Sequence, residues 1–165
     1  MRQESSHQQV SHREGGDAEG LLEHRRRVQQ RVEEIRKQFA EEVGEPGIIT
    51  LEIGSGHGHY LAAYAEQHAD EICVGIDLIT KRVKKGEAKQ RKRNLPNLHF
   101  LKAEAMEFLQ ALPDSVRPAK TILLFPDPWP KKRHWKNRLV QKPFLDALAA
   151  RTRSNDQLYF RTDHL

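Results

Sequence analysis

Ile48-Ile49-Thr50-Leu51-Glu52-Ile53-Gly54-Ser55-Gly56-His57-Gly58 is the stretch from which the fold can be read. Its first six residues are apolar enough for a buried strand, three alternating glycines make a turn, and a helical pattern opens at Tyr60. An open α/β sheet places its ligand crevice at such a strand-to-helix turn, where glycines allow a tight bend and a close backbone approach. The pattern is G-x-G-x-G, and His59 stands where the dinucleotide-binding G-x-G-x-x-G would need glycine. The loop alone therefore points to a nucleotide-like ligand without naming it.

Downstream, short apolar runs alternate with helical patterns. A helix is expected over 60–68, a strand over 72–76 and a strongly basic helix over 80–93, broken by Asn94-Leu95-Pro96-Asn97. A strand over 98–102, a helix over 106–112, a strand over 121–125, a helix over 142–151 and a strand over 157–161 follow. This alternation predicts an α/β fold, a parallel Rossmann-like sheet with helices on both faces. Upstream, Val28, Val32, Ile35, Phe39 and Val43 recur every three or four residues, predicting an amphipathic helix over 21–43 that Gly44-Glu45-Pro46-Gly47 ends. Residues 1–20 are polar and almost free of apolar side chains, so they are expected to form a disordered tail ahead of one domain, 21–165.

The chain's 165 residues suit one domain with a real core. Lys and Arg number 28 against 23 Asp and Glu, a net +5 concentrated at 25–27, 81–93 and 131–138. The single cysteine, Cys73, lies in an expected buried strand, which excludes a disulfide scaffold and suits a reducing cytoplasm. No apolar run approaches membrane-spanning length, so a soluble protein without membrane contact is expected.

Three acids stand near the carboxyl ends of successive expected strands: Glu52, Asp77 and Glu104. Asp77 follows the glycine turn by about 20 residues, the separation at which an acid accepts ribose hydroxyls. Glu52 is a costly choice for a buried strand unless a cation or a hydrogen-bond donor meets it. Glu104 taken alone is an ordinary helix N-cap; taken with the others it suits an adenine amino group. Together with the glycine loop the three acids describe a pocket for S-adenosylmethionine. His57 and His59 flank Gly58 without a cysteine partner or an i, i+4 histidine pair, so no metal site is expected.

The second distinctive stretch is Phe125-Pro126-Asp127-Pro128-Trp129-Pro130, followed by Lys131, Lys132, Arg133, His134, Trp135, Lys136 and Arg138. The prolines fix their own φ and bias their predecessors toward extended backbone, which holds Asp127 on a stiff turn. A bare run of lysine and arginine is a solvated face; a carboxylate framed by prolines beside it suits the handling of an anionic polymer. Trp135 serves either as a stacking platform for a base or as a packing residue.

With these motifs placed, the chain from 48 to 164 resembles the bacterial tRNA (guanine-N7-)-methyltransferase family, whose members have the class I methyltransferase fold. The resemblance rests on Glu52-Ile53-Gly54-Ser55-Gly56-His57-Gly58, Gly75-Ile76-Asp77, the Phe125 to His134 stretch and Thr162-Asp163. It implies cofactor contacts at Glu52, Gly54, Gly56, Gly58, Asp77, Glu104 and Asp127, with Asp127 also catalytic. It implies tRNA contacts at Lys131, Arg133, His134, Lys136, Arg138 and Asp163, and methylation of a guanine in the tRNA variable loop. Glu104 stands where the family usually has Asp, Asn137 interrupts a usually more basic segment, and the family's last strands and late substrate motif are missing after Leu165. Two other readings stay open: an RNA-binding remnant without turnover, and a methyltransferase for another substrate.

Overall fold

The computed structural model describes residues 8–126, 133 and 138–163, with side chains from residue 18 onward. Five strands, β1 (Ile48–Ile53), β2 (Cys73–Asp77), β3 (Leu98–Lys102), β4 (Arg117–Leu124) and β5 (Gln157–Arg161), form one all-parallel sheet in the order β3-β2-β1-β4-β5. The helices are α1 (Gln8–Glu42), α2 (His59–Gln67), α3 (Thr80–Arg93), α4 (Ala105–Ala111) and α5 (Lys142–Ala149). The strand order turns at β1, which pairs with β2 on one side and β4 on the other, so the crevice of a doubly wound sheet opens above the end of β1.

Strand alternation divides the core in two. Ile49, Leu51 and Ile53 of β1, with Val74 and Ile76 of β2, face a layer made by α1, α4 and α5, whose Val32, Ile35, Phe39, Phe108, Leu109, Phe144 and Leu148 are buried there. Thr50 and Glu52 point the other way, where Cys73, Leu98 and Phe100 pack under Leu61, Ala62 and Ala65 of α2 and Val83 of α3. The expected parallel sheet with helices on both faces is thus present.

Three boundaries differ from the sequence expectation by more than one residue, and several others by one. Helix α1 begins at Gln8, so residues 8–20, expected as a disordered tail, continue the helix. Extending a formed helix adds one hydrogen bond per residue ordered, which Gln, Arg, Glu and Ala in this stretch suit and Gly15, Gly16 and Gly20 oppose. At its other end Gly44 takes φ +77° and its N–H reaches the Phe39 carbonyl, a left-handed cap. Strand β4 begins at Arg117, four residues before the expected Thr121. Pro118 hides this extension in the sequence; a register shift opposite Ile49 and Thr50 accommodates it. Helix α5 ends at Ala149, two residues early.

Helix α1 is clasped to α4 by Arg31, whose guanidinium donates to both Glu107 carboxylate oxygens at 2.6–3.0 Å, and by Arg36, which donates to the carbonyls of Gln110 and Ala111 at the end of α4. Phe39 meets Phe108 edge to face at 6.0 Å. At the opposite end of the sheet, β5 pairs only with β4 among the described residues, and Leu158, Tyr159 and Phe160 are exposed there. Among the described residues no helix is long and apolar enough to cross a membrane.

Candidate cofactor site

A cavity of about 590 Å³ opens at the carboxyl ends of β1, β2, β3 and β4. Ile53 and Gly54 form its floor, Asp77, Leu78, Ile79 and Arg82 one wall, and Ala103 to Met106 a second. The end of β4, through Leu124, Phe125 and Pro126, together with Arg138, Leu139, Gln141, Pro143 and Phe144, makes the third. Five residues after β1 hold three glycines in the left-handed region: Gly54 at φ +72°, Gly56 at +56° and Gly58 at +70°. Beyond that they differ. A β-carbon at Gly54 or Gly56 would meet nothing within 4 Å, so those two leave open space beside the cavity. A β-carbon at Gly58 would lie 2.5 Å from the Phe100 ring.

Phe100 is the hidden organiser of this loop. Its ring, fully buried, lies against Gly58, against Gly75 of β2 and against Gly86 of α3, and a β-carbon on the latter two would sit 2.8 Å from it. The resemblance implies a cofactor contact at Gly58; in the structure its bare Cα packs against a protein ring. A glycine inside a strand and another inside a basic helix were the available signals of such a close approach.

Asp77 braces the loop from the end of β2. Its Oδ2 accepts from the Gly56 N–H at 3.0 Å and its Oδ1 from the Ile79 N–H at 2.9 Å, with the Arg82 guanidinium 3.7 Å away. Asp77 lines the cavity, and each of its carboxylate oxygens has acceptor capacity beyond these bonds. Glu104 is the N-cap of α4: its Oε2 accepts from the N–H groups of Met106 and Glu107 at 2.8 and 3.0 Å. That leaves Oε1 as the oxygen available to a ligand. Glu52, 3% exposed, lies behind the loop rather than on the cavity wall. Its Oε2 has no hydrogen-bond partner. Desolvation pushes its carboxyl up to about 8, against the pull of a hydrogen bond from the Leu61 backbone.

These groups fit a ligand with a cationic amino-acid end and an adenosine end. The orphaned Glu52 oxygen lacks a positive partner, the Gly54 and Gly56 backbone leaves room, and Asp77 and Glu104 offer acceptors on two walls. Apolar Leu78, Ile79 and Met106 between them are exposed at the cavity mouth.

Phe125, at the end of β4, takes φ +49° immediately before Pro126, a conformation that bulky residues rarely adopt. Its N–H donates to the Arg161 carbonyl at 2.7 Å, and the Arg161 guanidinium lies 5.7 Å from its ring centre. This strained residue redirects the chain as it leaves the sheet. Asp127, Lys131, His134 and Lys136 lie outside the described residues. Arg138 borders the cavity; Arg133 and Asp163 are exposed and do not line it. His57 and His59 rings are 6.2 Å apart, and the described residues contain no group of three side chains able to hold a metal.

Residues 46–165 match the family model described as "Putative methyltransferase". The tRNA (guanine-N(7)-)-methyltransferase of Magnetococcus marinus is 37% identical over 121 residues, covering 73% of this chain and 47% of the relative. That of Streptococcus suis is 32% identical over 152 residues, covering 90% of this chain and 70% of the relative. The chain spans about half the length of most of the curated relatives it matches. Among solved structures, PKMT2 of Rickettsia typhi in complex with AdoHcy superposes with a TM-score of 0.53 at 17% identity, over 66% of this chain and 20% of that one. This shows a shared class I methyltransferase fold. With the glycine loop, the strand-end acids and the matched sequence together, the chain belongs to the tRNA (guanine-N7-)-methyltransferase family.

Proposed function

We propose that this chain carries the cofactor-binding and catalytic region of an enzyme that transfers a methyl group from S-adenosylmethionine to N7 of a guanine in the tRNA variable loop. The observation that carries the reading is the buried Glu52 carboxyl, one oxygen unpartnered, under a glycine loop that Asp77 ties to a cavity bordered by Glu104. A carboxylate left so is costly unless a cation meets it.

When bound, the sulfonium cofactor supplies an electrophilic methyl group. Guanine N7 has an in-plane lone pair and no proton, so no residue need act as a base to uncover the nucleophile. The protein's task is placement, a contribution worth about 7–11 kcal/mol at best. Glu52, once ionised, would neutralise the ligand's amino group from behind the Gly54 and Gly56 turn, Asp77 would accept from its ribose hydroxyls while bracing the Gly56 backbone, and Glu104 Oε1 would accept from its adenine amino group. Asp127, three residues beyond the end of β4, accepts from the guanine N1 and N2 edge. That contact selects guanine and stabilises the positive charge that develops in the ring. Lys131, Arg133, His134, Lys136, Arg138 and Asp163 hold the RNA around it.

A cytoplasmic setting fits a tRNA substrate. It also fits Cys73, whose thiol burial pushes up to about 12, away from reactive thiolate. Transfer of labelled methyl from S-adenosylmethionine to bulk tRNA, with tRNA binding measured in parallel, tests the reading. Label appearing as 7-methylguanosine supports it; binding without transfer returns the chain to an RNA-binding remnant, and label on no RNA rejects the substrate class.

A further inference from the structure

Helix α3 holds a charge that its own stability does not explain. Eight of its fourteen residues are Lys or Arg and only Glu87 is acidic, so the helix is +7 in a chain whose total is +5. The rest of the chain is therefore net acidic. Among the described residues only two of the eight cations meet a carboxylate, Arg82 with Asp77 at 3.7 Å and Arg93 with Glu66 at 3.1 Å. Lys89 donates to the His57 carbonyl at 2.9 Å.

Folding does not call for this arrangement. Only Val83 and Gly86 of α3 are buried, against the Phe100 side of the sheet. Arg91, Lys92 and Arg93 complement the carbonyl end of the helix dipole, but Lys81, Arg82, Lys84 and Lys85 stand at the amino end, where cations oppose it. Lys81 also repels Lys84 and Lys85 at i, i+3 and i, i+4. The cost is accepted in full on an exposed face.

The position of that face supplies the reason. The helix begins at the cavity, with Ile79 and Arg82 in its wall, and runs about 21 Å away from it. One side turns toward the glycine loop: the His57 ring is held below its ordinary range, first by desolvation and then by Lys85, His59, Arg82 and Lys89. A track of unpaired cations leading away from the candidate methyl-transfer site fits a backbone of regularly spaced anions entering that site.

We infer that the exposed face of α3 is a tRNA-binding surface in addition to the basic segment 131–138 of the sequence, along which the phosphate backbone runs toward the cavity. The inference rests on the tRNA reading above. Its ligand chemistry is the nucleic-acid phosphate, which the lysines take up as point charges.

The test neutralises four exposed lysines that neither line the cavity nor pair with a carboxylate: Lys81→Gln, Lys84→Gln, Lys85→Gln and Lys92→Gln together. Because these side chains are exposed, the fold should persist, and unchanged S-adenosylmethionine affinity by calorimetry verifies this. The expected result is a KM for tRNA raised roughly tenfold or more near 100 mM salt with kcat retained, and a log-log salt dependence of binding shallower by about 3. Parent-like tRNA affinity and salt slope in the variant would overturn the inference. If the parent binds tRNA but transfers no methyl, the functional reading fails while the binding arm still decides this one. A parent that does not bind tRNA rejects both.

Discussion

Replacing Glu52 with glutamine isolates one buried charge and connects stability to ligand binding. In the unfolded chain its carboxyl titrates near the ordinary 4.5, and in the folded protein at about 8. Between those values the unfolded state has released a proton that the folded state keeps, so stability falls as pH rises through the window. Above pH 8 the folded carboxylate is ionised with Oε2 unpartnered, and the accumulated loss is on the order of 5 kcal/mol, about 3 of it by pH 7. Against a typical domain stability of ~5–15 kcal/mol this is large. Glu52→Gln has nothing to titrate, and its amide oxygen accepts the same Leu61 N–H. Urea unfolding of parent and variant at pH 5 and pH 8.5 should therefore show the variant gaining on the parent by several kcal/mol at the higher pH. Groups common to both proteins cancel in that comparison. A parent-to-variant difference that stays constant within about 1 kcal/mol across the window would refute the reasoning. The same carboxyl must ionise to meet a ligand cation. Binding of S-adenosylmethionine at pH 6 should release close to one proton from the parent and none from the variant, read by calorimetry in buffers of different ionisation enthalpy.

Asp127→Asn should lower methyl transfer by about 10²–10³ while tRNA affinity stays within a few-fold, since the carboxylate is assigned to the guanine edge; turnover near the parent's would remove the catalytic role. Asp77→Ala removes two charge-assisted bonds, to the Gly56 and Ile79 backbone, each worth roughly 1.5–3 kcal/mol, and should weaken S-adenosylmethionine at least tenfold by calorimetry without changing tRNA affinity. Gly58→Ala and Gly54→Ala should separate packing from ligand space. Both strain a left-handed residue by about 1–2 kcal/mol, but only the first drives a methyl into Phe100, so urea unfolding should show a distinctly larger loss at 58. Cofactor affinity per unit of stability lost should fall more at 54, and equal stability losses at the two positions would argue against the Phe100 socket.

Much of this architecture was legible because it is written in local periods. The strands at 48–53, 98–102 and 157–161 and the helix start at Thr80 depend on apolar spacing and on glycine and proline punctuation, which act over a few residues. Where a boundary depended on pairing it was missed: β4 gains Arg117 to Lys120 because β1 supplies a partner ladder, and the polar run before residue 21 gave no sign of a helix continuing through it.

The sequence by itself determined the turn with Gly54 and Gly56, the acids at the strand ends and the cationic content of α3, since each is a residue type at a fixed place along an element. Only the tertiary structure decided what those residues touch. Phe100 reaches Gly58, Gly75 and Gly86 from three separate segments, Asp77 ties its strand to the Gly56 backbone, and α5 brings Phe144 to close the cavity. The ionisation of Glu52 is of the same kind. A carboxyl moves to about 8 when water is excluded from all sides at once, and that exclusion comes from packing between segments distant in the chain rather than from any neighbour in the sequence.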